Sequence, residues 1–392
     1  MSTQEATYQT IINYIRNLFE AKENEFIPLH APNFEGNEKK YLNECIDSTF
    51  VSSVGPFVDR AEKDLCDYTG SKFAIACSNG TSALHIALKL CNVKQGDLVI
   101  TQPFSFIATV NAISYCGAIP VFVDIDENTL SLSPEKLKTF LETECIIENQ
   151  TCIHKATGKK IKACVPMHTF GFCAEIDKIN AICTEYHIDL VEDAAESLGS
   201  FYKGIHSGNF GKFGTISFNG NKTITSGGGG VILCQDKELA KKAKHLTTQA
   251  KVPHAWEFFH DEIGYNYRMP NINAALLCAQ LEQIDTFIEK KRNLASQYQS
   301  LFAKFPEIQF LTEPNDQHSN YWLCSVLFPN KLERDAFLKL ANAQKTMCRP
   351  GWELLFTLPM FENNCVMTNC DVSIDIQSRL INVPSSPYFA RI

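Results

Sequence analysis

At 392 residues the chain is long enough for more than one hydrophobic core, and 45% hydrophobic with 20% charged residues describes an ordinary globular protein. A net charge of −8 excludes non-specific nucleic-acid binding and leaves any phosphate site to a local cluster. The sixteen cysteines form no Cys-x-x-Cys pair, and those at Cys77, Cys116, Cys164, Cys183 and Cys278 lie in apolar segments, so they read as small buried hydrophobes rather than disulfides or metal ligands.

In chain order, Ile11, Ile12, Ile15, Leu18 and Phe19 fall on one helical stripe and predict an N-terminal helical arm over residues 1–25. The N-terminus shows no basic and apolar leader, and no apolar run reaches the roughly 20 residues of a membrane span, so a cytoplasmic protein is expected. From residue 73 strand and helix patterns alternate: strand 73–77, helix 81–91, strand 98–101, helix 107–115, strand 121–124, and helix 134–141 opened by Pro134. The polar segment 143–161, with its Ala156-Thr157-Gly158 turn signal, reads as a hairpin or insertion. Strand 162–167, a helix carrying Ile176, Ile179, Ile182 and Tyr186, and strand 188–192 resume the alternation. Such spacing implies right-handed parallel crossovers and an α/β sheet covered on both faces, with ligands beyond the carboxyl ends of its strands. This large domain is assigned to residues 26–250. A long helical pattern over 273–305 and a strand at 321–328 mark a smaller α+β domain over 251–392.

The residues that carry chemistry sit between strands and helices. Lys222, in Ser217-Phe218-Asn219-Gly220-Asn221-Lys222-Thr223, is an isolated lysine in polar company just before Gly227 to Gly230, and reads as a reactive amine. Ser78-Asn79-Gly80-Thr81-Ser82 is either a phosphate cradle at a helix start or a simple cap. Asp193, at a strand end, suits a partner for a protonated heterocyclic nitrogen, with an N-cap as the plain reading. Phe104 and Phe106 suit stacking on a planar cofactor or plain core; His168 suits a cofactor or substrate contact or a structural histidine. No Gly-x-Gly-x-x-Gly follows the first strand, which argues against a nicotinamide-binding enzyme, and the four glycines lack the Lys and hydroxyl residue of a nucleotide-phosphate loop.

In this order, cradle, aromatic, strand-end carboxylate and lysine resemble the DegT/DnrJ/EryC1/StrS family of sugar-nucleotide aminotransferases, from Ser53-Val54-Gly55-Pro56 to Asn382-Val383-Pro384-Ser385-Ser386. The resemblance implies a fold-type-I enzyme, with a mostly parallel seven-stranded sheet sandwiched by helices plus a smaller C-terminal α+β domain. It implies pyridoxal 5'-phosphate carried by Lys222 and cycling through pyridoxamine phosphate, its ring nitrogen paired with Asp193, its phosphate held by Gly80, Thr81 and Ser217, and its ring stacked on Phe106. Glu196 stands beside the cofactor where many members have glutamine, and Phe356 where relatives have a histidine near the sugar. Tyr265-Asn266-Tyr267-Arg268-Met269-Pro270 resembles the segment whose asparagine reaches the neighbouring subunit's cofactor, implying a homodimer with shared active sites. Tyr267, Arg268 and Arg349 are the implied substrate contacts. The expected reaction is C4 amination of a UDP-linked 4-keto-6-deoxy-N-acetylhexosamine by L-glutamate, in bacterial surface-glycan or nonulosonic-acid biosynthesis. A GDP- or dTDP-linked 3- or 4-keto-sugar and a non-catalytic cofactor-binding regulator are the alternatives; Lys222 argues against a lysine-free dehydratase.

Overall fold

Eight strands form the central sheet of the computed structural model, which describes residues 3–387; residues 1, 2 and 388–392, at the outer ends of the expected arm and C-terminal domain, lie outside the described residues. The strands are β1 (Phe73–Cys77), β2 (Leu98–Thr101), β3 (Ile119–Phe122), β4 (Ile161–Val165), β5 (Asp189–Asp193), β6 (Phe213–Ser217), β7 (Gly230–Cys234) and β8 (Val366–Met367). Across the sheet they run β1-β7-β6-β5-β4-β2-β3-β8. Strands β6, β5, β4, β2 and β3 are mutually parallel, and β7 is antiparallel to both of its neighbours. Every residue of β2 and β7 is buried, as a sheet covered on both faces requires. The first seven strands match the expected seven. The eighth is a two-residue return of the chain beside β3, too short to leave a periodic signal.

Local differences have local causes. The strand expected at 121–124 sits two residues earlier. The insertion is an antiparallel hairpin, Cys145–Glu148 with Thr151–His154, which turns at Asn149 and Gln150 (φ 48° and 60°), ahead of the glycine turn. The pattern over 273–305 is two helices, Asn271–Leu281 and Ile284–Phe302.

The first of these, placed by the sequence in the C-terminal domain, packs Ala275, Leu277 and Cys278 with Phe57, Ala61 and Leu65 of helix Pro56–Thr69. Its apolar face meets that helix and not the C-terminal sheet. The second joins the N-terminal helix Thr3–Leu18 and a four-stranded sheet made of Gln309–Phe310, Cys324–Leu327, Leu380–Val383 and Arg349–Pro350. Tyr8 of the arm meets Phe337 edge-on, with ring centroids 5.5 Å apart. All sixteen cysteines are free thiols and all but Cys66 and Cys365 are buried. Among the described residues, no helix is long and apolar enough to cross a membrane.

Candidate active site

The carboxyl ends of β1, β2, β4, β5 and β6 open into one cleft of about 320 Å³, lined by Gly80, Thr81, Phe106, Met167, Asp193, Glu196, Ser217, Lys222, Trp322 and Trp352 among others. At one end lies the start of helix Gly80–Leu90. Asn79 caps it by accepting the Ser82 N–H (2.8 Å), which leaves the first N–H groups of the helix to face an anion. The turn fits closely: a Cβ on Gly80 would come within 2.9 Å of Ser217 Cβ. One on Gly230 would strike the backbone of Asn79 and Gly80 at 2.5 to 2.6 Å. The last of the four glycines therefore lets β7 begin directly against the cradle.

Asp193 ends β5, and no helix follows it, so it is not an N-cap. Its carboxylate accepts the Thr109 hydroxyl (2.7 Å) and the Ala195 N–H (3.2 Å). Burial raises this carboxyl above its ordinary value, and the two donors and the Lys222 charge oppose the rise. Glu196 is equally buried. Its Oε2 accepts the Phe170 N–H (3.0 Å) and its Oε1 accepts from Lys222 Nζ (3.3 Å). Burial pushes the Glu196 carboxyl up to about 7 although the Lys222 ammonium and the Phe170 N–H pull it down. One buried acid fixed by donors, a second able to change charge near neutral pH, and an amine between protein walls can hold and move protons.

Two tryptophans in this cleft carried no functional signal as single residues. The Trp322 ring centroid lies 4.0 Å from Lys222 Nζ. Trp352 stacks obliquely on Phe170 at 4.7 Å. Asn320, also unmarked in the sequence, donates to the carbonyls of Glu196 (3.0 Å) and Leu198 (2.9 Å) and to Thr223 Oγ1 (3.2 Å), tying the Glu196 loop to the lysine loop. The rarity of tryptophan, three in the chain, was the one available hint.

Other expected residues lie elsewhere. His168 does not line the cleft. Its Nδ1 accepts the Ala174 N–H (3.0 Å), which fixes the other nitrogen as the donor to Glu192 Oε2 (3.0 Å). Met167 takes the cleft-facing side, and in extended backbone the next side chain points away. Of the two readings of His168, the hydrogen bonds seen here are those of a structural histidine. Phe104 is buried core, and Phe106 stands half-exposed (48%) at the mouth. Asn266, Tyr267, Arg268 and Arg349 do not line this chain's cleft. The Tyr267 carbonyl accepts the Ser78 N–H (2.7 Å), so that segment runs beside the cradle with its side chains directed elsewhere, and the Tyr267 ring stacks on Tyr265. Arg349 is exposed in the small sheet, and Phe356 packs on Phe122.

The residues present fit a phosphorylated pyridine aldehyde: an anion cradle that a Cβ would fill, a buried carboxylate for a ring nitrogen, an aromatic at the mouth and an amine. Residues 32–391 match the DegT/DnrJ/EryC1/StrS aminotransferase family. The chain is 38% identical over 363 residues to GDP-perosamine synthase of Vibrio cholerae (92% of this chain, 94% of that one) and 36% identical over 363 residues to GDP-perosamine synthase of Escherichia coli O157:H7 (93% and 94%). A DegT DnrJ EryC1 StrS aminotransferase from Brucella abortus superposes with a TM-score of 0.82 at 26% identity, covering 91% of each chain. With cleft, fold and relatives in agreement, the chain belongs to the DegT/DnrJ/EryC1/StrS aminotransferase family and is a pyridoxal-phosphate-dependent aminotransferase.

Proposed function

We propose that this chain transfers the amino group of L-glutamate to the keto group of a nucleotide-linked sugar, with Lys222 as the reactive amine. The observation that carries the reading is Lys222 Nζ held between Glu196 Oε1 and the Trp322 ring, in the same cleft as the Gly80 cradle and Asp193. Three relatives above 35% identity are named for a GDP-linked amino sugar, so a GDP-linked keto-sugar is the favoured acceptor over the UDP-linked N-acetylhexosamine expected from the sequence. A homodimer is proposed with it, in which Asn266, Tyr267 and Arg268 serve the neighbouring cleft.

In this reading Gly80, Thr81 and Ser217 hold the phosphate and Phe106 covers the ring. Bound pyridoxal phosphate supplies an electron-withdrawing ring for the electron pair left when a C–H bond of the donor breaks. Asp193, fixed by Thr109 and Ala195, would hold a proton at the ring nitrogen. Lys222 Nζ would take the proton from the donor carbon and return one nearby, and Glu196 Oε1, at 3.3 Å, would relay it. Trp322 and Trp352 would keep water from that path.

The test is a panel of GDP-, UDP- and dTDP-linked keto-sugars with L-glutamate, following 2-oxoglutarate. Turnover is expected first with a GDP-linked substrate. Turnover with a UDP-linked sugar alone would overturn the choice of nucleotide, and none with any sugar would overturn the reading.

A further inference from the structure

Trp322 is built into the lysine loop more firmly than a lining residue needs to be. Its indole N–H donates to the Asn221 carbonyl (2.7 Å), next to Lys222 in the chain, so ring and lysine keep one register. Its backbone N–H donates to Asn320 Oδ1 (2.7 Å), and its carbonyl accepts from Lys291 Nζ (3.1 Å). Lys291 is fully buried and its other acceptor is the Ser385 carbonyl. An ammonium buried on carbonyl oxygens is costly, and burial pushes Lys291 down to about 7. An apolar side chain of that length would fill the same space; what the amino group adds is a pair of bonds that tie the Trp322 backbone to that of Ser385.

The Lys222 ammonium lies 4.0 Å from the centroid of that ring, inside the roughly 6 Å reach of a cation–π contact, and its side chain is only 11% exposed, so water competes little. A transaminating lysine must leave the cofactor while substrate occupies it, and must then stay within reach. We propose that Trp322 is a positioning residue for the reactive amine: its indole face is the berth on which Lys222 rests whenever that amine is not bonded to the cofactor. The proposal rests on the reading of Lys222 given above. It requires an aromatic face at 322 and not merely bulk.

The test separates the two. Borohydride reduction of the full-length protein with its cofactor, followed by peptide mass spectrometry, locates the bonded amine. An adduct on Lys222 secures that reading whatever Trp322 does, and an adduct elsewhere overturns the reading and the berth with it. The unreduced protein is then freed of cofactor, and labelling of Lys222 by an acylating reagent is timed at fixed pH. Trp322→Leu is expected to label about tenfold faster, as loss of a contact of about 1.4 kcal/mol gives. Trp322→Phe, keeping an aromatic face, is expected to stay within about threefold of the natural chain. Equal labelling of Trp322→Leu and the natural chain, both folded by circular dichroism, overturns the berth. Should Trp322→Leu not fold, a chain with Trp256 and Trp352 changed to phenylalanine reports on Trp322 alone by fluorescence. Adding Lys222→Met there is expected to shift the emission; unchanged emission overturns the berth.

Discussion

The floor of the cleft and a segment outside it, residues 251–268, are built on different terms. On the floor Glu196, Lys222, Asn320 and Trp322 each find their partners inside this chain, and the carboxylate of Glu192 behind them gathers N–H donors from Gly208, Phe210 and Gly211 as well as His168. Outside the cleft, residues 251–268 hold Trp256, Phe258 and Ile263 out at 77, 83 and 84% exposure, while the buried Arg268 Nε finds no hydrogen-bond partner among the described residues. A pre-organised floor suits chemistry that tolerates little displacement. Apolar side chains held in water on a short hairpin suit an association surface.

The largest effects should come from the floor. Lys222→Ala is expected to remove the borohydride-reducible cofactor bond and to lower turnover by about a thousandfold or more, with the fold intact by circular dichroism. A yellow, active variant would break the assignment of the floor to catalysis. Asp193→Asn keeps the shape but cannot carry the charge, so the proton-transfer step should slow by about a hundredfold to a thousandfold. A deuterium isotope effect on the donor Cα–H is the measurement, and a normal rate would reduce Asp193 to a brace for Thr109.

How much of this was legible follows the same division. The strand and helix alternation could be read from its periodicity, and the glycine cradle from its place between β1 and the helix that follows, whereas Asp193 ends a strand and Lys222 lies in a strand-to-strand loop, where residue type and the family resemblance were the signals. Trp322 and Asn320 were not legible, because they come from about a hundred residues further on and their meaning lies in long-range contacts at Lys222, Glu196 and Thr223. The sequence left His168 open between two readings because the exit of β4 offers two sides, and it is packing that puts Met167 on the cleft side. Helix Asn271–Leu281 was placed by its position in the chain, whereas its apolar face answers to helix Pro56–Thr69.

A smaller effect isolates Glu196. Its carboxyl stands at about 7 in the folded protein against an ordinary 4.5, through burial first. Between those pH values the folded chain binds more protons than the unfolded one, so this group makes stability fall as pH rises from about 4.5 to about 7. The full difference is about 3 kcal/mol. Glu196→Gln removes that slope, so between pH 5 and pH 7 the urea midpoint should fall less, or rise more, in the variant than in the natural chain. An unchanged gap would mean that Glu196 does not hold its proton into the neutral range.

The smallest effect probes the segment 251–268, and it decides whether the contrast drawn above is real. In the proposed homodimer Trp256 and Phe258 are among the most exposed large apolar side chains that a partner could cover, and truncating one anchoring aromatic costs about 2 kcal/mol of association, or about thirtyfold in the dissociation constant. Because both side chains are exposed in the single chain, Trp256→Ser should leave the unfolding midpoint of the isolated subunit nearly unchanged. Sedimentation at falling concentration should then show the variant dissociating earlier, with activity lost in parallel as Asn266 and Arg268 leave the neighbouring cleft. Earlier dissociation with activity retained would confine each site to one chain. An unchanged dissociation constant would take the hairpin out of the interface and leave its apolar surface for another partner.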